Sequence, residues 1–430
     1  MISKKRRAVV VDGCRIPFLK SNTGYQDLTS YDMGRMAIES LVKRTELDKS
    51  KIDWVIMGSV VSNLATSNVA RESALGAGIP SSVPAYTITQ ACVSGNRAIT
   101  SGMDLIVNGQ ADVVIAGGTE SLTDIPIRIS RPLRDKLMEA QKYKKPLDYL
   151  NFVKGLHPKD LLPETPSISE YSTHRTMGED CDRMAARIGV NREEQDKFAL
   201  RSHLSAARAR KEGILAKEIE PALIPPNFEP ITEDNGIRGD TSMEKLKDLH
   251  PAFIKPYGTL TAGNSSFLTD GAAAVLLMSE EAAKALGYTP KAAIIDYAFT
   301  AQDPFEELLL GPAYAIPKVL DRAGMELGDI DVFELHEAFA AQILANLICL
   351  DSDQFAKENL GRDKKVGEIP MEKLNTWGGS LSIGHPFGAT GGRLVTTAAN
   401  RLIAEDGKLA VVASCAAGAI GNAIILERLS

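Results

Sequence analysis

The sequence predicts an α/β fold with mainly parallel strands and a mainly helical segment set into its middle. Two observations carry this reading. Short β-rich runs alternate with helix-length amphipathic stretches at both ends of the chain, the order that buries one face of each helix against a sheet. Between Leu122 and Tyr257 the text turns charged and proline-punctuated, with the helix-forming runs RDKLMEAQKYKKPLDYLNF and REEQDKFALRSHLSAARARKEGI. Composition agrees. Of 430 residues 44% are hydrophobic, 24% charged and only 6% aromatic, against 35 glycines, which suits close backbone approach and excludes a disordered or fibrous chain.

In the first part, Ala8–Val11, Trp54–Val61, Ala85–Thr89 and Ala111–Ala116 read as strands, and Asp32–Lys43 and Val93–Val107 as helices between them. The inserted segment ends at Pro221–Pro226 and a turn at Asp234–Gly236. Beyond it, Ala292–Tyr297, Asp331–Leu335 and Lys408–Ala413 read as strands, with helices over Ala338–Leu350 and Gly388–Ile403.

Lys and Arg number 49 against 55 Asp and Glu, a net charge of −6 that disfavours nucleic acid as a partner. Five cysteines, Cys14, Cys92, Cys181, Cys349 and Cys415, are odd in number and widely spaced, which argues against a disulfide framework and a zinc module. They are expected to be reduced thiols of a cytoplasmic protein. The opening MISKKRRAVVVDG has an apolar run, Ala8–Val11, too short for a signal peptide, and Leu409–Ala419 falls short of the ~20 residues a membrane span needs.

A weak internal likeness links the two ends. Cys92 opens CVSGNRAITSGMDLIVNGQADVVIAGG and His385 opens HPFGATGGRLVTTAANRLIAEDGKLAVVASCAAG. Each begins with a reactive side chain in a Gly-containing turn, followed by an amphipathic helix, a tight turn and a small-residue strand. Any two βαβ units share that outline; a true duplication would set Cys92 and His385 at matching helix N-termini. There the free N–H groups and dipole favour a thiolate, so Cys92 reads as a nucleophile with a lowered pKa. The bland alternative is a small buried hydrophobe. Trp377–Arg393 holds six glycines around His385, the one titratable side chain before Arg393. Its imidazole can take a thiol proton; a structural histidine in a glycine-rich turn is the alternative. The spacing matches neither a P-loop nor a dinucleotide fingerprint.

His336 and Glu337 stand in LHEAFAAQ at a strand-to-helix junction, where Ala340 replaces the second histidine of a zinc-protease motif, so no metal is expected. Cys415 ends a strand and enters the Gly/Ala turn ASCAAGAIGNA, whose free N–H groups can point at an oxyanion.

Four blocks in this order, the Cys92 turn, TAGNSSFLTDGAA (Thr261–Ala273), HEAF (His336–Phe339) and GHPFGATG with the terminal Cys415 turn, resemble the thiolase family over essentially the whole chain. The resemblance implies a duplicated fold of two βαβαβαββ halves, packed as five layers α-β-α-β-α. Residues 1–121 and 258–282 would form the first half, 122–257 the inserted loop domain and 283–430 the second half. It implies thiolytic cleavage of 3-ketoacyl-CoA by CoA in fatty-acid β-oxidation, through a ping-pong cycle with an acyl-Cys92 intermediate. Histidine opening the EAF block points to the degradative type that partners a hydratase/dehydrogenase subunit; acetoacetyl-forming biosynthetic members usually carry asparagine there. In these roles Cys92 is the nucleophile, His385 its base and an oxyanion donor, and Cys415 the general acid/base. His336 holds a water or oxyanion, Glu337 orients it and the imidazoles, and the N–H groups of Cys92 and Ala417 form a second oxyanion site.

CoA is expected as co-substrate with no permanent cofactor, touching Arg238, Ala262 and Ser266. Phe267 and Ala419 depart from the family's glycine-rich pattern at those channels. The chain is expected to form a homodimer or tetramer. Residues Leu122–Ser172 mix Arg128, Arg131, Arg134, Lys136, Lys142, Lys144 and Lys145 with Leu133, Leu137, Tyr143, Leu147 and Leu150. This stretch reads either as a dock for a partner subunit or membrane surface, without spanning it, or as a solvated face over the site. Rival readings are the biosynthetic acetyltransferase, a decarboxylating condensing enzyme, which lacks the equivalent of Cys415, and an idle lipid carrier, which would have lost Cys92 or His385.

Overall fold

The computed structural model describes residues 6–164 and 169–429, so the basic opening residues 1–5 and residues 165–168 of the insertion lie outside it. The first half runs β1 (Ala8–Arg15), α1 (Ser30–Arg44), β2 (Trp54–Gly58), α2 (Val69–Gly76), β3 (Ala85–Ile88), α3 (Ser94–Val107) and β4 (Val113–Glu120). The insertion carries α4 (Arg131–Ala140), α5 (Met177–Ile188) and α6 (Arg192–Lys211), after which β5 (Thr269–Ser279) closes that half. The second half runs β6 (Ala292–Ala301), α7 (Gly311–Ala323), β7 (Val332–Leu335), α8 (Ala340–Leu350), α9 (Ser380–Ile383), α10 (Thr390–Ala404), β8 (Leu409–Ala416) and β9 (Ile420–Arg428).

These strands share one sheet in the order β7-β8-β9-β6-β1-β5-β4-β2-β3. Reading outward from the β6/β1 junction, each half uses its strands in the sequence first, fifth, fourth, second, so the two halves have one topology. The first half has the full expected βαβαβαββ order. In the second, the third strand is reduced to a parallel bridge between Phe333 and Leu374. β1 pairs antiparallel with both β5 and β6, which joins the half-sheets through Ala8–Val10, and the β4/β5, β6/β9 and β8/β9 pairs are antiparallel too, so the sheet is mixed and not mainly parallel as expected.

Burial supplies the layers. One apolar cluster joins α1 and α2 to the first half-sheet through residues such as Met33, Ile38, Leu41, Val55 and Leu276. A second joins α7 and α8 to the other half-sheet through Ile316, Leu320, Ile343, Phe333 and Ile425. Between them a third cluster contains Ile99 and Ile106 of α3, Leu394 and Leu402 of α10, and residues of both half-sheets, Val114 and Val412 among them. α3 and α10 are therefore the shared middle layer.

The insertion is tied down by charge as well as by packing. Arg15, 1% exposed, pairs with Glu218 at 3.0 Å and Asp234 at 2.6 Å. Asp234 also accepts the Phe18 N–H at 2.7 Å. The Asp234 segment is thus a buried anchor, where the sequence suggested only an exit turn. Beside it α6 packs Ala206 and Ala209 against Trp377 and Ile383.

Sequence periodicity missed β5, β9 and α7. Every residue of β5 is buried, so its side chains lack the alternation that marks a half-exposed strand. α7 carries Pro317 in its interior, which breaks the helical reading. β4 continues to Glu120, beyond the expected end at Ala116, through Gly117 and Gly118; Gly117 lets β5 approach, because a Cβ there would stand 2.9 Å from the Ala274 Cα and 3.0 Å from the Ala273 carbonyl carbon.

The first turns of α3 and α10 meet through glycine. A Cβ on Gly95 would lie 2.5 Å from the Gly388 carbonyl oxygen, and one on Gly391 would lie 2.7 Å from the Gly95 carbonyl carbon. Both contacts are with backbone, which cannot rotate away. Gly391→Ala is therefore expected to destabilise the chain by about 1–3 kcal/mol or more. Urea unfolding of this variant checks it; an unchanged midpoint contradicts glycine contact as the reason for these residues.

Candidate active site

Cys92 lies in a loop cinched by Ser94, whose Oγ accepts the Gln90 N–H at 2.7 Å and donates to the Ala91 carbonyl at 2.6 Å. Ala91 takes a φ of +46°, a left-handed conformation that costs a non-glycine residue of order 1–3 kcal/mol. The following residues start α3, so the nucleophile candidate does sit at a helix N-terminus. Its thiol is nevertheless not acidified. Burial pushes it up to about 12, although the Ala417 N–H and its own N–H pull the other way and Glu120 adds to the rise. The expectation of a lowered pKa at rest is corrected: desolvation outweighs the helix terminus, and the thiolate must form as the proton is taken.

His385 and His336 stack with ring centroids 4.0 Å apart. His385 Nδ1 is 2.7 Å from Thr390 Oγ1, and that hydroxyl donates to the Pro386 carbonyl at 3.0 Å. Thr390 must therefore accept from Nδ1–H, which leaves a lone pair on His385 Nε2. His336 Nδ1 faces Ser380 Oγ at 2.9 Å. Both Nε2 atoms are buried without a partner among the described residues. Burial lowers both imidazoles, His385 to about 3, and the Arg393 guanidinium reinforces each shift. Both rings are neutral at ordinary pH.

Cys415, 1% exposed, ends in the same place: burial raises its thiol, and proximity to Cys92 raises it further. The turn after it carries Gly418 at φ +76° and Ala419 at φ +55°, so the alanine stands where glycine is favoured. Gly418 N–H donates to both Glu170 oxygens at 3.2 Å, which brings the insertion to the site. Glu337 binds Ser202 Oγ (2.7 Å), Asn375 Nδ2 (2.7 Å) and the Leu381 N–H (3.3 Å). These bonds tie it to α6, to Asn375 and to α9, and none runs to either imidazole.

Sequence reasoning missed Glu120. This fully buried carboxylate accepts N–H groups of Val60, Val61 and Gly388, and burial pushes it up to about 7. One glutamate at a glycine-rich strand end carries no signal beforehand. Of the expected CoA contacts, Arg238 and Ala262 are exposed, while half-buried Ser266 donates its N–H to the Ala338 carbonyl at 2.9 Å, beside the His336 segment. Arg238 N–H donates to His203 Nδ1 at 3.2 Å, and Lys20 lies over the Phe267 ring at 5.5 Å. Among the described residues no cluster of three or more His, Cys, Asp or Glu could hold a metal ion, and no helix is long and apolar enough to cross a membrane.

Two thiols close enough to perturb each other, together with a pair of neutral imidazoles, suit acyl transfer to and from sulfur. Comparison with known proteins agrees: the family model of the thiolase N-terminal domain matches residues 8–281 and that of the C-terminal domain residues 288–428. The chain belongs to the thiolase family. It is 53% identical over 422 residues to the mitochondrial trifunctional enzyme subunit beta of Bos taurus, covering 98% of this chain and 88% of that one. It is 44% identical over 421 residues to the 3-ketoacyl-CoA thiolase of Yersinia pestis, covering 98% and 97%. Among solved structures, human mitochondrial 3-ketoacyl-CoA thiolase aligns with TM-score 0.84 at 30% identity, and the Bacillus anthracis acetyl-CoA acetyltransferase with TM-score 0.84 at 31%, each over 99% of both chains. The fold is thus common to degradative and acetyl-transferring thiolases.

The neutral histidines of this thiolase make a pH prediction. Unfolded, they titrate near 6.5; folded, His385 titrates at about 3. Its stabilising effect is present above 6.5 and lost as pH falls toward 3, by roughly 1.4 kcal/mol per unit. Glu120 and Glu334, pushed up to about 7 and about 6, run the other way, so the effect is read by difference. Between pH 7 and 5, wild type should lose stability relative to His385→Asn in urea unfolding; parallel curves would contradict a buried neutral His385.

Proposed function

We propose that this chain is a 3-ketoacyl-CoA thiolase of β-oxidation, cleaving 3-ketoacyl-CoA with CoA to acetyl-CoA and a shortened acyl-CoA. The observation that carries this reading is the pair of thiols with different surroundings beside two neutral imidazoles. Cys92 Sγ attacks the 3-keto carbon while His385 Nε2 takes its proton. As the bond between C2 and C3 breaks, the acetyl-CoA enolate takes the Cys415 proton, leaving acyl-Cys92 and a Cys415 thiolate. CoA then gives its proton to Cys415 and its sulfur attacks the thioester; the Cys92 thiolate that departs recovers its proton from His385. Burial keeps Cys415 protonated at rest, which supports its acting first as an acid. The Cys92 and Ala417 N–H groups would hold the tetrahedral oxyanion, and His336 with His385 the thioester oxygen. Arg238, Ala262 and Ser266 would line the CoA path.

Degradative over biosynthetic use is supported by the names of the relatives at 44–53% identity and by His336 in place of asparagine. Cys92→Ser should abolish formation of the acyl-enzyme from acetyl-CoA, followed by mass spectrometry. Cys415→Ala should still acylate yet lose carbon–carbon cleavage by at least about 100-fold; wild-type cleavage in either variant refutes the assignment.

The insertion supports a partner subunit. α4 buries none of its residues and leaves Leu137 and Met138 exposed beside its cations, near exposed Leu147 and Leu150. Relatives named as a subunit of a trifunctional enzyme suggest a hydratase/dehydrogenase chain as the occupant, on a homodimer or tetramer. Deleting 129–149 should abolish co-purification with such a subunit; unchanged association would show that this face is only solvated. Five free thiols fit a reducing compartment, proposed as the cytoplasm. Mammalian relatives are named mitochondrial, so imaging of the tagged chain decides between the two.

A further inference from the structure

We propose that Ser380 and Arg393 are positioning residues that hold the proton of His336 on Nε2, so that His336 is a donor at rest while His385 beside it is an acceptor. Ser380 is fully buried at the start of α9. Its Oγ lies 2.9 Å from His336 Nδ1 and 3.2 Å from Arg393 Nη2. A guanidinium can only donate, so Ser380 accepts from Arg393 and keeps one hydrogen to give. Buried hydroxyl hydrogens find acceptors, and the acceptor in reach is His336 Nδ1. A lone pair on Nδ1 places the proton of the neutral ring on Nε2.

Arg393 has little freedom to do otherwise. It is fully buried, its Nη1 pairs with Glu334 at 3.2 Å, and the second Glu334 oxygen takes Arg401 at 2.8 Å. On the other ring, Thr390 has already given its hydrogen to Pro386 and so accepts from His385 Nδ1. Two stacked imidazoles therefore carry opposite tautomers. An oxygen placed against their unpartnered Nε2 atoms receives one hydrogen bond from His336 at once. It receives the second only after His385 has taken the Cys92 proton. The oxyanion site would be completed by the same proton transfer that makes the nucleophile. The nearby Arg393 charge also opposes protonation of either ring at rest.

The kinetic part rests on the thiolase reading, whereas the tautomer does not. Wild-type protein with 15N-labelled histidine, its two signals assigned by His336→Asn and His385→Asn, should show a protonated Nε2 in His336 and a protonated Nδ1 in His385 at neutral pH. A protonated Nδ1 in His336 overturns the inference without any further variant. Ser380→Ala should spread the His336 proton over both nitrogens and slow carbon–carbon cleavage by about tenfold to a hundredfold, with acylation from acetyl-CoA near wild type and Ser380→Thr restoring both signals. Arg393→Gln keeps a donor to Ser380 without the charge, and should raise the pH at which both rings titrate. An unmoved spectrum and unchanged cleavage in Ser380→Ala would overturn the proposal. Absent acylation of wild-type Cys92 would instead sink the thiolase reading and leave the tautomer result standing.

Discussion

The site depends on one backbone contact, the meeting of α3 and α10 at their first turns. Gly95 and Gly391 let the two helices of the middle layer touch main chain to main chain, and the turns that precede them carry Cys92 and His385. Around this contact Gly118 of β4 and Gly58 of β2 also leave no room for a side chain: a Cβ on Gly118 would stand 2.8 Å from the Gly58 carbonyl and 2.5 Å from the Gly388 carbonyl carbon. Glu120 then ties the Gly388 loop to Val60 and Val61, fastening the second half to the first. Interiors transmit such constraints because they are close-packed, so a shift of one helix moves both reacting groups.

Burial sets the chemistry of what this contact brings together. The two thiols, the two imidazoles and Glu120 are pushed toward their neutral forms: thiols up, imidazoles down, Glu120 up. A site at rest with no net charge on its reacting groups does not have to desolvate an ion when an acyl-CoA enters. Charge then appears only as a proton moves, when fixed donors stabilise it most. The helix dipole at Cys92 acts on that developing charge rather than on a standing thiolate.

The sequence made some of this readable and hid the rest for definite reasons. Cys92, His385, His336 and Cys415 were legible because each sits at a strand or helix end in a glycine- or alanine-rich turn, a placement that periodicity can locate. The raised pKa of Cys92 was not, because helix position is local, while burial and the charges of Glu120 and Glu170 come from segments distant in the chain. β5 escaped notice because full burial erases alternation. Glu337 was found as a motif residue, yet its partners Ser202 and Asn375 lie far off in the chain, and only their contacts show that it braces α9.

Two halves of one topology contribute unequally, and the inequality is what makes the site work. Just past its second strand the first half has Ser59, whereas the second half has His336. At the end of the fourth strand the first half has Glu120, which anchors a loop, whereas the second has Cys415. After the third-strand position one half has Cys92 and the other His385. Divergence of side chains on a preserved backbone, and not a change of topology, gives the two halves different chemistry, while the glycine contact that sets the spacing of α3 and α10 stays the same.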